Sequence, residues 1–262
     1  MIDLQDISLI FGKNTTQEKK VLKHINITIP TEEFITVIGS NGAGKSSLLN
    51  LIAGEYVPSL GKIICDSKDI SSWKTNERAA LVSRVFQDPM IGTCSELTVI
   101  ENLALAECRG RKRGFKLALN KKDYQRFALV VAELKLDLEK RLDAPVSLLS
   151  GGQRQALSLV MASLSASDIL LLDEHTSALD PHMAEKIMAL TTQIIGQKKL
   201  TTLMVTHSLK QALEVGSRTI MLHNGQIIYD VKGEERKNLT PSVLLQKFSQ
   251  VLDSDQMLFE KK

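Results

Sequence analysis

The sequence predicts an α/β fold: a parallel sheet flanked by helices, an antiparallel β-subdomain before it, and an α-helical subdomain inserted into it. Three observations carry this. An apolar, β-branched run, Phe34-Ile35-Thr36-Val37-Ile38, meets a glycine-rich loop and then the helical stretch Leu48–Ala53. A second apolar run, Ile169–Leu172, has the continuity of a parallel strand buried on both faces. Between them, from about Val99 to Leu142, apolar residues recur at helical spacing.

In chain order, Leu4–Phe11 and Val21–Ile29 alternate as two antiparallel strands around the polar turn Gly12–Lys20. Pro30 stops the second, and Phe34–Ile38 follows. Lys62–Cys65 is a strand after the turn at Pro58 and Gly61, and Val82–Phe86 a short strand before the loop Gln87-Asp88-Pro89. The helical block holds Val99, Leu103, Tyr124, Phe127, Val131, Leu134 and Leu138, interrupted by a basic loop with Arg109, Arg111, Lys112, Arg113 and Lys116. That loop reads either as solvated or as a contact for lipid phosphates or acidic groups. Another helix runs from Arg154 to Leu164. Pro181–Ile195 is a helix with Pro in its first turn, Leu200–Thr206 a strand, and Ser208–Val215 a short helix. Thr219–Leu222 and Gln226–Tyr229 form a hairpin with Asn224-Gly225 as its turn. Beyond Lys232 the chain is polar, then weakly amphipathic.

Gly39-Ser40-Asn41-Gly42-Ala43-Gly44-Lys45-Ser46-Ser47 fits the phosphate-binding pattern G-x-x-x-x-G-K-S in its required context, strand before and helix after. The glycines let successive N–H groups converge on an anion, and the helix dipole points at the same place. Lys45 adds a full charge for β- and γ-phosphates, and the Ser46 hydroxyl can ligate Mg²⁺. The core is therefore expected to be that of a P-loop NTPase.

Composition narrows the class. The 262 residues carry a formal net charge of +3 and only 4% aromatics, which disfavours a nucleic-acid partner. Cys65, Cys94 and Cys108 are odd in number and widely spaced, so a reducing cytosol is expected rather than disulfides or zinc. The acidic start, Met1–Asp6, does not look like a signal peptide. No apolar run approaches the ~20 residues that span a bilayer.

Ile169–Leu172 ends in Asp173-Glu174. A carboxylate at the end of a buried strand is where such a fold holds Mg²⁺, and Glu174 can take a proton from an attacking water. Leu149-Ser150-Gly151-Gly152-Gln153 is a second small-residue turn opening a second helix, hence a second anion site by the same physics. One nucleotide in the first loop does not account for it. A dimer does, with the second site of one copy capping the nucleotide in the first loop of the other.

Taken together these stretches resemble the ATP-binding subunits of ABC transporters over residues 1–230. The phosphate loop is Gly39–Ser46, the Q-loop Val85–Asp88, the signature Leu149–Gln153, the magnesium strand Ile169–Asp173, the D-loop Ser177–Asp180, and the switch histidine His207. The resemblance implies an ATPase that binds ATP and Mg²⁺ on a 1–232 domain, with its helical subdomain at about 95–165 and a short 233–262 extension. It implies Glu174, His207, Gln87 and Lys45 as catalytic residues. It implies nucleotide binding by Phe11, Gly39–Ser47 (Gly39, Ser40, Asn41, Gly42, Ala43, Gly44, Lys45, Ser46, Ser47), Ser150, Gly151, Gly152, Gln153 and Asp180, and magnesium binding by Ser46, Gln87 and Asp173. Phe11 either stacks on adenine, where the family more often has Tyr, or closes a strand as a core residue. His175 stands where the family usually has Pro: a tolerated turn residue, or a second titratable group beside Glu174.

The implied partners are a second copy, a separate membrane permease and, through it, a substrate-binding protein; the implied location is cytoplasmic, peripheral on the inner face of the plasma membrane. Glu96–Asn102 resembles bacterial importer subunits, and Asp143–Ser147 lacks the Glu-containing loop of exporters. The Asp173–Thr176 segment with the basic loop is most similar to amino-acid-type systems, tryptophan/tyrosine or branched-chain-like. The alternatives are an exporter subunit or a non-transport ABC ATPase acting on nucleic acid or the ribosome. A chromosome clamp would need a long coiled coil between loop and signature, where only residues 48–148 lie.

Overall fold

The computed structural model describes residues 1–110, 119–165 and 167–249. Strands β1 (Ile2–Phe11) and β2 (Lys19–Ile29) pair antiparallel, as their alternation predicts. β3 (Phe34–Gly39) leads through the glycine-rich loop into α1 (Lys45–Ala53). β4 (Leu60–Cys65) and the two-residue β5 (Lys68–Asp69) complete a four-stranded antiparallel sheet, order β2-β1-β4-β5. The short helix α2 (Thr75–Arg78) precedes β6 (Val82–Val85). The helical subdomain holds α3 (Val99–Glu107), α4 (Lys121–Ala132) and α5 (Gly151–Leu164). Then come β7 (Ile169–Asp173), α6 (Pro181–Lys198), β8 (Thr201–Val205), α7 (Leu209–Glu214), β9 (Arg218–His223), β10 (Gln226–Lys232) and α8 (Gly233–Lys237).

The second sheet has the order β10-β9-β3-β8-β7-β6, with all neighbours parallel except the β9–β10 hairpin. Its strands are apolar on both faces, and the pleat divides them between two cores. Ile35, Val37, Leu171, Leu203 and Val205 face the antiparallel sheet and α1. Val85, Leu170, Leu172 and Met204 face the layer that includes Leu159, Met188 and Ile195. A third core, with Val99, Leu103, Phe127, Val131 and Leu157, binds the helical subdomain together. The phosphate loop, Asp173 and Thr206 therefore all lie at the carboxyl ends of adjacent parallel strands, where open α/β sheets bind ligands.

The structure departs from the sequence expectation in two places. The helix read through Leu134 and Leu138 stops at Ala132, because Lys135 and Asp137 are left-handed (φ 53° and 56°); both leucines still reach the core from the turn that follows. The polar segment after Lys232 packs onto the domain: Arg236 is buried, donates to Thr219 Oγ1 at 2.9 Å and to the Ala212 and Val215 carbonyls, and Leu244, in a helical stretch over 241–249, is fully buried. The residues Arg111, Lys112, Arg113 and Lys116 of the basic loop lie outside the described residues.

Candidate functional site

The first anion site is built by backbone. Gly44 sits before α1 at φ 103°, and a Cβ there would come within 2.9 Å of Leu22 Cδ2. α1 begins without a side-chain cap and without an acidic residue in its first turn, so its N–H groups and positive dipole end face outward unspent. The hairpin turn supports the loop from beside: Gly225 N–H donates to the Ala43 carbonyl at 3.0 Å, and the Gly225 carbonyl accepts from Lys23 N–H at 2.8 Å. A Cβ on Gly225 would lie 2.4 Å from the Val21 carbonyl, which explains the glycine.

Lys45 is buried, and its Nζ donates to the Gly39 and Ser40 carbonyls at 2.9 and 3.0 Å. Burial pushes its pKa down, while the carboxylates of Glu174 and Asp173 push it up. The ammonium is thus desolvated in advance and held by its own loop where it lines the cleft. Ser46 Oγ lies 3.5 Å from Asp173 Oδ1. Among the described residues no cluster of three His, Cys, Asp or Glu could hold a metal alone. A hydroxyl and a carboxylate beside a phosphate site match how Mg²⁺ is held, by one or two protein oxygens with phosphate and water completing the shell.

Glu174 and His207 come together: Glu174 Oε1 and His207 Nε2 are 2.7 Å apart. Glu174 has a left-handed backbone (φ 46°), fixed by its N–H donating to the Val205 carbonyl and its carbonyl accepting from Ser177 Oγ at 2.8 Å. Gln87 Nε2 donates to the same Ser177 Oγ at 3.3 Å, which joins the Q-loop to the Glu174 turn. His175 points away from this group. It is buried, its Nε2 lies 3.0 Å from Thr191 Oγ1, and burial pushes its pKa down to about 4, so it is neutral at physiological pH and packs the turn.

A cleft of about 670 Å³ opens over the loop, lined by Phe11, Lys19, Lys20, Lys23, Asn41, Gly42, Gly44 to Ser47, Glu174, Asn224 and Gly225. Phe11 is 39% exposed and braced edge-to-face by Tyr56, ring centroids 5.1 Å apart. Gly39 and Ser40 instead line a smaller apolar cavity beside His207, and Ala43 is buried.

Ser150, Gly151, Gly152 and Gln153 do not line this cleft. They open α5, where Ser150 Oγ accepts from Gln153 N–H (3.2 Å) and Gln153 Oε1 accepts from Ser150 N–H (3.1 Å). Gly152 lies against Met183, and Gln153 Nε2 donates to the Leu136 carbonyl. Asp180 caps α6, its Oδ1 accepting from Met183 N–H at 3.0 Å. Sequence reasoning placed Ser177 in the D-loop without giving it a contact, and did not single out Arg84 or the lysines of β2. Arg84 left a signal: a charge inside a strand otherwise buried needs a buried partner.

The family model for ABC transporters matches residues 22–177. The tyrosine transport ATP-binding protein of Clostridioides difficile (strain R20291) is 45% identical over 248 residues, 95% of this chain and 98% of that protein. The thiamine import ATP-binding protein ThiQ of Shigella boydii serotype 4 (strain Sb227) is 33% identical over 236 residues, 90% and 93% of the two chains. Among solved structures, the dimeric post-hydrolysis state of the ATP-binding cassette MJ0796 bound to ADP and Pi superposes with a TM-score of 0.76 at 27% identity, covering 88% of this chain and 98% of that one.

Proposed function

Since the chain belongs to the ABC transporter family as an ATP-binding, ATP-hydrolysing subunit, we propose that its cleft hydrolyses ATP between two copies and drives a separate membrane permease, importing a small solute of the amino-acid type. The observation that carries the catalytic reading is the Glu174–His207 contact of 2.7 Å beside Lys45, Ser46 and Asp173.

In this reading the triphosphate lies on the uncapped start of α1, with Lys45 on its β- and γ-oxygens and the base against Phe11. Ser46 and Asp173 would hold Mg²⁺, with Gln87 joined to the Glu174 turn through Ser177, and the bound ion would neutralise charge on the phosphate oxygens. His207 Nε2 donates to Glu174 Oε1 and leaves Oε2 to accept a proton from water. The water oxygen bonds to the γ-phosphorus, the bond to the β-phosphate oxygen breaks, and ADP leaves with that electron pair. General-base assistance of this kind is worth about 10²–10⁴-fold.

Ser150 and Gly152 of a second copy complete the γ-phosphate site, with Asp180 facing that copy's loop. Ser150 is suited to this, since its oxygen accepts the cap bond while its proton stays free to donate. Exposed Met90 and Ile91, directly after the Q-loop, supply an apolar contact for the permease. No helix among the described residues is long and apolar enough to cross a membrane; in this reading the subunit attaches peripherally, through the permease, on the cytoplasmic face. The tyrosine transport relative supports an amino-acid-type solute, and delivery of that solute by a separate binding protein is part of the same proposal.

Glu174→Gln is the test. Turnover should fall at least 10²-fold while ATP binding persists and the ATP-bound dimer accumulates. Hydrolysis at the wild-type rate would remove Glu174 from the reaction. Co-purification with a permease, and ATP-dependent uptake of labelled tyrosine by the assembly, check the transport reading.

A further inference from the structure

Arg84 lies in β6, paired with Leu171 of β7, and its side chain is almost wholly enclosed, 8% exposed. It bridges three elements. Nη2 donates to Asp173 Oδ2 at 2.7 Å, and Nη1 donates to Asn50 Oδ1 at 2.5 Å and Glu55 Oε1 at 2.9 Å. Its face covers the Phe86 ring at 4.6 Å, one residue before Gln87. The other oxygen of the same carboxylate, Asp173 Oδ1, is the one turned to Ser46.

We infer that Arg84 is a positioning residue for the cation site: by occupying Oδ2 and anchoring itself on Asn50, Glu55 and Phe86, it fixes the Asp173 carboxylate with Oδ1 presented toward Ser46. The inference rests on the reading of Ser46 and Asp173 as magnesium residues. Two effects of a guanidinium on a metal-binding carboxylate oppose each other. Its charge competes with the cation and weakens binding. Its hydrogen bond holds the carboxylate in the binding orientation and strengthens it. Orientation dominates here because Glu55 already pairs with the guanidinium charge, and among the described residues the only other hydrogen bond holding the Asp173 carboxylate is the long 3.5 Å one from Ser46. Removing hydrogen-bond partners of metal ligands typically costs 10–100-fold in affinity.

The test is Mn²⁺ titration by electron paramagnetic resonance of the full chain saturated with a non-hydrolysable ATP analogue. Arg84→Met should raise the half-saturating Mn²⁺ about 10-fold or more, with analogue affinity in EDTA within about twofold of wild type. Arg84→Lys, which keeps the charge but not the fork, should also weaken Mn²⁺ binding. Tighter or unchanged Mn²⁺ binding in Arg84→Met, or an equal loss of analogue affinity in EDTA, overturns the inference. The double variant Asn50→Ala/Glu55→Gln leaves Arg84 in place but frees its far end. It should weaken Mn²⁺ binding in the same direction, and it decides the question if Arg84→Met does not fold. Ser46→Ala and Asp173→Asn separate the two readings. If they leave Mn²⁺ binding unchanged, the magnesium assignment fails; if they weaken it and the Arg84 variants do not, only the role of Arg84 fails.

Discussion

Two helices of this protein begin at small-residue turns, and they begin differently. α1 starts after left-handed Gly44 with no side-chain cap, so its terminal N–H groups are left for a ligand. α5 starts with a reciprocal box, Ser150 and Gln153 satisfying each other's backbone. The first is a finished anion cradle with a buried ammonium beneath it. The second is closed on itself and lines no part of the cleft, yet it sits exposed with a free hydroxyl proton. An uncapped helix start costs stability and keeps a site open; a capped one stabilises its helix and can still engage a phosphate brought by another molecule. In the two-copy reading proposed above, the difference divides one ATP site into a fixed half and a docking half.

Breaking the fixed half should have the largest effect. Lys45→Met removes the ammonium aimed at the triphosphate, and turnover should fall about 10²–10³-fold in a steady-state phosphate-release assay. Next is a pH effect beneath the catalytic turn. His175 is held neutral, its folded pKa about 4 against an ordinary 6.5. The unfolded chain therefore binds the extra proton between these values, and stability is intact above pH 6.5 and falls as the pH drops toward 4. The loss is on the order of 3 kcal/mol at pH 4, read by urea unfolding. His175→Gln keeps a donor for Thr191 and should flatten that slope without altering the pH–rate profile of hydrolysis. Gly44→Ala should cost about 1–3 kcal/mol in the same unfolding assay and weaken nucleotide binding, since a side chain strains the left-handed backbone and meets Leu22. Ser150→Ala should cost only about 1 kcal/mol of stability through the lost cap and leave nucleotide affinity of an isolated chain unchanged, while lowering turnover of the dimer. Gly151→Ala, with nothing within 4 Å of the added methyl, should stay within about 0.5 kcal/mol of wild type.

Much of this was legible in the sequence because it is written locally. Each main-sheet strand has its own apolar run, and the phosphate loop and the capped start of α5 are set by residues a few positions apart. What was illegible is non-local or lacks a composition signal. Lys135 and Asp137 turn left-handed and end α4 without a glycine or proline to announce it. Arg84 finds Asp173 across 89 positions of chain, and Arg236 finds Thr219 on a strand the polar tail gave no reason to suspect. Neighbours of this kind exist only once β6 lies beside β7 and α8 beside β9. His175 shows the same limit: the sequence places it next to Glu174, and the fold turns it away into α6.

The division of the site between two copies is tested most directly by mixing. Lys45→Met chains and Ser150→Arg chains should each be inactive alone. In a mixed dimer, one site carries both defects and the other carries neither, so mixing the two should restore ATP hydrolysis. If the mixture stays as inactive as its components while wild-type chains mixed the same way remain active, each site is complete within one chain and the account is wrong.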